Sequence, residues 1–334
     1  MSKVNIFVIN NTYSLFLAEK IASSLNKDFN SLYFIGNANE LDSVNQVWNN
    51  TTNYKIPENH LSIFYSLKDL NRNRKILKAI IKEINLFDQH EFYITNINNT
   101  VTNHVFFFLA TNELVNNISE GTLTYRPRNF KIKNILVQFI KAVFGLFSYI
   151  YNPFFIDSLA LENRKLKKIY TLDNSDIYGN SEIVEMIEID SSDDPKLNPN
   201  ICLVLCQHIL HEMDSSIKEE CLELLKKIID KGNYRKIFFK THPRINNVIP
   251  LESKIVENYT LVTDNISAEN YFETIKPYTV ISIGGSSSFI YWKKKYAKNI
   301  RCVAVGMDTI SIKLNSKYSQ LIKKFIEINV EIYK

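Results

Sequence analysis

The sequence predicts an α/β protein with two similar domains, each built on a doubly wound parallel sheet. Short apolar, β-branched runs such as residues 4–9, 201–206 and 279–283 have the length and composition of strands buried on both faces. Longer stretches such as 72–87 and 217–229 repeat apolar residues at helical spacing. Strands that alternate with helices in this way are typical of a parallel sheet covered by helices.

The same alternation runs through both halves of the chain. In the first half, the predicted strands are residues 4–9, 32–35, 61–65 and 91–97, and the predicted helices are 15–25, 72–87 and 104–114. In the second half, the predicted strands are 201–206, 237–240, 259–262, 279–283 and 301–305, and the predicted helices are 217–229 and 318–330. The polar stretch DSSDDPKLNPN at 190–200 predicts a linker, so the predicted domains are 1–190 and 191–334. We expect a ligand in a cleft between them, outside the carboxyl ends of the strands.

The composition of the 334 residues is that of a globular protein, with 45% hydrophobic and 22% charged residues. A formal net charge of +5 is too mild to indicate a nucleic-acid partner. The four cysteines, Cys202, Cys206, Cys221 and Cys302, lack the paired spacing of metal ligands, and the first two are predicted to be small buried hydrophobic residues. Few cysteines, no signal peptide and no confident transmembrane run predict a cytoplasmic location.

One stretch, residues 129–155, is unusually apolar. Its many aromatic and aliphatic side chains are interrupted by three lysines, Lys131, Lys133 and Lys141. A core or interdomain helix would explain the pattern. So would the face of a homodimer, or a helix lying peripherally on the inner face of a membrane, where lysines meet anionic lipid.

A first candidate site is the stretch TVISIGGSSSFIYW at 279–292. A buried strand is followed by Gly284 and Gly285, which let the backbone turn sharply and let a ligand come close. The serines Ser286, Ser287 and Ser288 are then N-cap candidates for a helix. A strand, a Gly-Gly turn and a hydroxyl-rich helix N-terminus together favour a phosphate site, although plain strand-to-helix turns look the same.

A second candidate site is FFKTHPR at 238–244, where a predicted strand ends at Lys240. Pro243 biases His242 towards an extended backbone at the carboxyl end of that strand. Lys240, His242 and Arg244 would then bring three potential cations to one strand end, which favours an anionic ligand.

Two carboxylates complete the candidate residues. Ser267 reads as a helix N-cap, with Glu269 in the first turn, where it either stabilises the helix or accepts hydrogen bonds from a sugar diol. In the first half, ISEGTLTY at 118–125 would carry Glu120 into the cleft as a catalytic carboxylate, unless it is an ordinary turn.

These motifs in this order resemble those of bacterial sialyltransferases. An acidic residue before Gly, a His-Pro after a strand of the second domain, and a serine pair 44 residues later (286 − 242 = 44) occur together in the capsule and lipooligosaccharide sialyltransferases of glycosyltransferase family 52. The motif order is also similar to that of the bacterial polysialyltransferases. The resemblance spans most of the chain and implies a GT-B fold with two Rossmann-like domains.

The resemblance also implies an activity. It implies inverting transfer of sialic acid from CMP-sialic acid to a terminal galactose of a bacterial surface glycan, most often in α2,3 linkage, without a metal or other cofactor. By position, His242 would contact the CMP phosphate and assist its departure, and Ser286 and Ser287 would bind the same phosphate. Glu269 would hold the ribose, and Gln207 would lie in a donor-binding loop. The first domain would serve the acceptor and the second the donor.

Glu120 would be the base that deprotonates the acceptor hydroxyl. Relatives often carry two acidic residues before the Gly, and here the first of these positions is Ser119. The base is therefore Glu120 or another residue. Two alternatives stay open: a polysialyltransferase or other CMP-sugar transferase of the same fold, and a non-catalytic relative that binds nucleotide or partner proteins.

The chemistry of the residues fits this class without a metal. A departing CMP needs stabilisation of its charge, which a histidine, nearby cations, serine hydroxyls and a helix N-terminus supply. No DxD-like motif stands at a comparable strand end, which disfavours a metal-dependent nucleotide-sugar enzyme.

Overall fold

The computed structural model describes residues 2–25, 28–36, 47–55, 67–110, 115–119, 139, 142–143, 151–152, 160–173, 181–189, 196–207, 210, 213–242, 249–263, 266–313 and 319–333. The chain divides into two compact units, Met1–Ile187 and Glu188–Lys334. Each unit contains one parallel sheet, which is the α/β architecture predicted from the alternating patterns. The assignment of acceptor and donor to the two units stays a prediction.

The first unit has a seven-stranded sheet in the order β3-β2-β1-β4-β5-β6-β7. Its strands are β1 (Lys3–Ile9), β2 (Phe29–Gly36), β3 (Asn50–Lys55), β4 (Gln89–Ile94), β5 (Val115–Ile118), β6 (Leu166–Thr171) and β7 (Val184–Met186). Successive strands spread outward from β1 in one direction and then, from β4 onward, in the other. The point where the direction reverses lies between β1 and β4, whose residues pair in parallel.

Three α-helices of the first unit are described: α1 (Thr12–Ser24), α2 (Leu67–Ile84) and α3 (Thr100–His104), the last continuing as a π-helical turn, Val105–Leu109. Asparagines begin two of them, because Asn11 accepts a hydrogen bond from the backbone of Ser14 and Asn99 from that of Val101. The apolar side of α2 packs on the sheet and contributes Ile76, Leu77 and Ile80 to the core.

The second unit has a six-stranded sheet in the order β10-β9-β8-β11-β12-β13. Its strands are β8 (Asn198–Leu205), β9 (Lys236–Lys240), β10 (Tyr259–Val262), β11 (Pro277–Ile283), β12 (Arg301–Val305) and β13 (Glu331–Tyr333). Its helices are α4 (Ser215–Gly232), α5 (Ala268–Ile275), α6 (Ser288–Tyr296), α7 (Met307–Lys313) and α8 (Ser319–Glu327). Counted from β8, this is the order 3-2-1-4-5-6 of Rossmann folds, with the reversal between β8 and β11.

Aromatic side chains fix the helices beside this reversal point. Phe272 of α5 stacks on Trp292 of α6 with ring centroids 4.8 Å apart. Phe289 of α6 meets Phe325 of α8 at 5.8 Å, and all four side chains are fully buried. The first turns of α5 and α6 are thereby held in a fixed relation.

Several predicted elements differ from the observed ones. The predicted linker at 190–200 is wrong at its end, because Asn198 already donates its backbone N–H to Lys276 and begins β8. The predicted helix 104–114 is a π-helical turn over Val105–Leu109, and Ala110 is extended. The predicted strand 61–65 and residues 111–114 and 190–195 lie outside the described residues. Strands β3, β5, β6, β7 and β13 are absent from the predicted strands.

The four cysteines are all buried and unbridged, as predicted for Cys202 and Cys206. Of the apolar stretch 129–155, only five residues are described. Phe139 and Val143 are 53% and 55% exposed, whereas Tyr151 is buried. None of the helices within the described ranges has the length and apolarity needed to cross a membrane. The dimer and membrane interpretations of the stretch both stay predictions.

Candidate functional site

The candidate residues of the second unit converge on the carboxyl edge of its sheet. The adjacent strands β9, β8 and β11 end there, at Lys240, Leu205 and Ile283. Their chains continue into His242, Gln207 and the Gly-Gly turn respectively. Because the strand order reverses between β8 and β11, the connections diverge and leave a crevice at this edge, where open α/β sheets bind ligands.

Hydrogen bonds hold the end of β9 to the neighbouring strands β8 and β10. Lys240 is 4% exposed, and its carbonyl oxygen accepts a hydrogen bond from the backbone of Cys206 at 3.0 Å. Thr241 donates both its backbone N–H and its hydroxyl to the carbonyl of Val262, over 3.0 and 3.1 Å. His242 follows directly and is half-buried. Pro243 and Arg244, the other predicted members of this motif, lie outside the described residues.

The turn after β11 requires glycine. Gly284 and Gly285 have φ angles of 70° and 78°, in the left-handed region that side chains disfavour. A Cβ atom at Gly285 would lie 2.3 Å from Cε2 of Phe325, so α8 packs directly against the turn. The predicted sequence of strand, Gly-Gly turn and helix is confirmed for this segment.

The three serines after the turn have different roles. Ser287 occupies the N-cap position of α6, but its hydroxyl does not cap the helix, so the N-cap prediction is wrong for this side chain. The hydroxyl of Ser286 accepts from the backbone of Ser288 at 3.3 Å and donates to its hydroxyl at 3.2 Å. Ser286 and Ser287 are half-buried and Ser288 is buried, so the first two are the ones open to a ligand.

Glu269 lies beneath this turn. Ser267 caps α5 by accepting from the backbone of Asn270 at 3.1 Å, so the helix is capped by the serine as predicted. Glu269, in the first turn, is 3% exposed, and its Oε1 has no hydrogen-bond partner within the described part of the chain. Burial raises the pKa of Glu269, against the opposing effects of hydrogen bonds from Ser288 and of the charge of Lys240.

A second buried carboxylate at this edge, that of Glu252, was not predicted from the sequence. It begins a short 3-10 turn, Glu252–Ile255, and is fully buried. Its Oε1 accepts a hydrogen bond from the backbone N–H of Gln207 at 3.0 Å, and its Oε2 has no hydrogen-bond partner among the described residues. Burial raises the pKa of Glu252. Nothing in the local sequence LESK signals this contact, since its partner is 45 residues away.

Glu120, predicted to be the base in the first unit, lies outside the described residues. The residue before it, Ser119, is buried and donates its backbone N–H to the carbonyl of Tyr170 at 3.0 Å. Its own carbonyl accepts from the hydroxyl of Ser14 at 3.2 Å. Ser119 thus serves a structural purpose.

Across the described ranges, no three His, Cys, Asp or Glu side chains are grouped as ligands for a metal. The absence of a metal requirement stays a prediction, since it rests on the resemblance alone.

Two α/β units, each with a parallel sheet of Rossmann strand order, define the GT-B fold class, and this chain has that fold. No protein-family model matches the chain, and no curated protein sequence matches it. Among solved structures, one from Listeria monocytogenes, assigned as a UDP-N-acetylglucosamine 2-epimerase, aligns with a TM-score of 0.52 at 10% identity, over 98% of this chain and 88% of its own. MurG of Acinetobacter baumannii aligns with a TM-score of 0.46 at 10% identity, over 99% and 85%. At 10% identity, the similarity to the Listeria structure supports the fold and does not assign an activity.

Proposed function

We propose that the chain is an inverting, metal-independent sialyltransferase that moves sialic acid from CMP-sialic acid to a terminal galactose of a bacterial surface glycan. One observation carries the proposal. His242 after β9, and the Gly284–Ser288 turn after β11, lie at the same sheet edge as Glu269, whose pKa, raised by burial, is lowered in part by the Ser288 side chain. These are the donor motifs of the resemblance, and they come from three separate stretches of the sequence.

The phosphate of CMP would lie at the Gly-Gly turn. The N-terminus of α6 offers backbone N–H groups and the positive end of a helix dipole. The hydroxyls of Ser286 and Ser287 add neutral donors, and the two glycines let the phosphate approach the backbone. Such fixed donors stabilise the charge that develops on the phosphate as the C–O bond breaks.

The ribose would lie against Glu269. A carboxylate oxygen that is buried without a partner is costly, because it has lost its water and gained nothing in return. The two adjacent hydroxyls of a ribose are hydrogen-bond donors that would satisfy the Oε1 atom of Glu269. The raised pKa of Glu269 supports a neutral, hydroxyl-bearing ligand over a second anion at this point.

The transfer itself needs one bond formed and one broken. The acceptor hydroxyl oxygen attacks C2 of sialic acid, and the bond from C2 to the phosphate oxygen breaks with its electron pair going to CMP. Glu120 takes the proton of the acceptor hydroxyl, and His242 hydrogen-bonds to the departing phosphate. Attack from the side opposite CMP inverts the anomeric centre. A positioned base of this kind contributes about 100- to 10,000-fold.

The choice of CMP-sialic acid, of galactose and of an α2,3 linkage rests on the motif resemblance. The similar structure from Listeria monocytogenes is assigned as an epimerase of UDP-N-acetylglucosamine (UDP-GlcNAc). UDP-GlcNAc is therefore the appropriate comparison donor in any test.

The deciding experiment measures CMP release from CMP-sialic acid with and without lactose. We expect lactose-stimulated release by the parent and its loss in His242→Ala and Glu120→Ala. His90→Ala is the matched control, because His90 lies at the amino-terminal end of β4 and belongs to none of the candidate motifs. Release lost in His242→Ala but kept in Glu120→Ala would retain the donor site and require another base.

Other outcomes would overturn the proposal. Conversion of UDP-GlcNAc with no CMP release would assign a different nucleotide-sugar reaction to the same fold. Binding of CMP without turnover would indicate the non-catalytic alternative. Neither binding nor turnover of either nucleotide sugar would mean that the motif resemblance is misleading.

A further inference from the structure

The fully buried Glu252 joins two segments of the donor edge that are far apart in sequence. Its backbone lies in the 3-10 turn that follows the His242 segment along the chain. Its carboxylate accepts the backbone N–H of Gln207, directly after β8, over 3.0 Å. The carboxylate thus connects the backbone directly after β8 to the 3-10 turn, while the bond from Cys206 to Lys240 connects the ends of β8 and β9.

The burial of Glu252 has an energetic cost that its local structure does not explain. A carboxylate removed from water is destabilised unless hydrogen bonds replace its hydration. Here Oε1 has the N–H of Gln207, while Oε2 lacks a partner within the described residues. An apolar residue would fill the same volume without this cost, so a requirement other than packing accounts for the carboxylate.

We infer that the requirement is to hold the backbone of Gln207 in a defined position. Beyond Cys206 no bond to a neighbouring strand is described for the backbone, so the N–H of Gln207 needs another acceptor. The Glu252 carboxylate supplies that acceptor from below the edge, where water does not compete. A loop held in place before the ligand arrives binds with less loss of conformational freedom.

We propose that Glu252 is a positioning residue for the donor: it holds the backbone at Gln207, directly after β8, in the conformation that receives the nucleotide. The proposal rests on the proposed function for the identity of the donor. Glu252 itself does not touch the reacting atoms. It acts through the single hydrogen bond to Gln207.

Three substitutions of Glu252 distinguish the effect of side-chain length from the effect of charge. Glu252→Gln keeps the length of the side chain and an oxygen acceptor but removes the charge. Glu252→Asp keeps the charge and shortens the side chain, so the acceptor no longer reaches Gln207. Glu252→Ala removes both. Glu273→Ala is the control, since Glu273 is an acceptor in the same unit, for Lys295 and Tyr296, both at 2.7 Å.

If Glu252 has a positioning role, donor affinity should fall in the order parent, Glu252→Gln, Glu252→Asp, Glu252→Ala. We expect the KM for CMP-sialic acid to rise about tenfold in Glu252→Asp and Glu252→Ala, as the loss of one buried hydrogen bond implies, and to stay within about twofold in Glu252→Gln. The kcat should change less than the KM, because the reacting groups are untouched. Glu273→Ala should leave the KM unchanged even if it lowers the melting temperature.

Hydrogen–deuterium exchange tests the hydrogen bond between Gln207 and Glu252 without requiring enzymatic turnover. The peptide containing the Gln207 amide should exchange faster in Glu252→Asp and Glu252→Ala and at the parent rate in Glu252→Gln. An Asp variant equal to or better than the Gln variant in both measurements would overturn the proposal in favour of a role for the charge. An inactive parent whose exchange follows the predicted order would refute the proposed function and retain the positioning of Gln207.

Discussion

The Ser288 side chain interacts with the buried carboxyl of Glu269 and opposes the rise in its pKa that burial causes, although the two residues lie in the first turns of two different helices. Ser288 begins α6 immediately after the Gly-Gly turn and also accepts a hydrogen bond from the Ser286 hydroxyl at 3.2 Å. Glu269 begins α5, which packs on α6 through the stacked rings of Phe272 and Trp292. The proposed phosphate and ribose contacts are therefore connected by one buried hydroxyl.

Removal of that hydroxyl should weaken donor binding. In Ser288→Ala, Glu269 loses the polar side chain that opposes the rise in its pKa, and Ser286 loses an acceptor. We expect the KM for CMP-sialic acid to rise about tenfold, in keeping with one hydrogen bond to a charged group. Ser288→Thr, which keeps the hydroxyl, should be close to the parent. The idea fails if steady-state kinetics give the two variants the same KM.

The buried carboxyl of Glu269 should make stability depend on pH. Burial raises its pKa in the folded state above the ordinary value, so the folded state binds more protons than the unfolded state between the two values. The contribution of Glu269 to the free energy of unfolding is therefore greatest at low pH and is lost as the pH rises through that window. In Glu269→Gln this decline should be absent. Urea unfolding between about pH 4 and 8 measures it, and parallel curves for parent and variant would contradict the expectation.

Gly285 should not tolerate a side chain. Gly285→Ala places a Cβ atom 2.3 Å from Cε2 of Phe325 and forces a left-handed φ of 78° on alanine. We expect a loss of about 1–3 kcal/mol in the free energy of unfolding. Phe325→Leu removes the ring atom, so Gly285→Ala should cost less in that background. An additive double mutant would show that the backbone angle alone matters.

The first unit contains a buried carboxylate whose removal should affect stability alone. Glu83 accepts hydrogen bonds from the hydroxyls of Tyr33, at 2.6 Å, and Ser31, and from the side chain of Asn50 at 3.3 Å. Glu83→Ala leaves these donors unpaired and should cost about 2–4 kcal/mol, whereas Tyr33→Phe removes one donor and should cost about 1 kcal/mol. Chemical denaturation tests both values. A fall in donor affinity of the folded protein would reveal a link that we do not expect.

The exposed apolar pair Phe139 and Val143 should contribute to association. Replacing both by serine should leave the melting temperature unchanged, because their side chains are more than half exposed. It should lower either self-association in sedimentation or flotation with anionic vesicles, which distinguishes a dimer face from a membrane surface. Leu86→Ser is the control, as Leu86 is 69% exposed outside the apolar stretch. Unchanged behaviour in both assays would exclude either role for these two side chains.

The sequence predicted the elements whose hydrophobic pattern is strong. Buried strands such as β11 and amphipathic helices such as α4 appear where their periodicity indicates. The edge strand Asn50–Lys55 was missed because its residues, NTTNYK, are mostly polar and are ordered by pairing with β2 rather than by burial. Strand β13, also at an edge, was missed for the same kind of reason.

The residues of the candidate site were likewise predicted only where a local sequence pattern indicates them. The Gly-Gly turn and the end of β9 are local events, so their residues could be named from the sequence. Glu252 could not, since its significance comes from a hydrogen bond to a backbone atom 45 residues away. Ser286, Ser287 and Ser288 were all predicted as N-cap candidates for α6, and the turn geometry decides that Ser286 supplies the local contact while Ser287 does not.

The adjacency of β8 and β11 in the second sheet has a consequence for synthesis on the ribosome. Pro277, the first residue of β11, follows Leu205, the last of β8, by 72 residues (277 − 205 = 72). At roughly 5–20 residues per second, the emerging chain carries β8 with one hydrogen-bonding edge open for about 4–14 s. An open, apolar strand edge is prone to pair with other chains, so this unit should depend on chaperones during translation more than its finished stability would suggest.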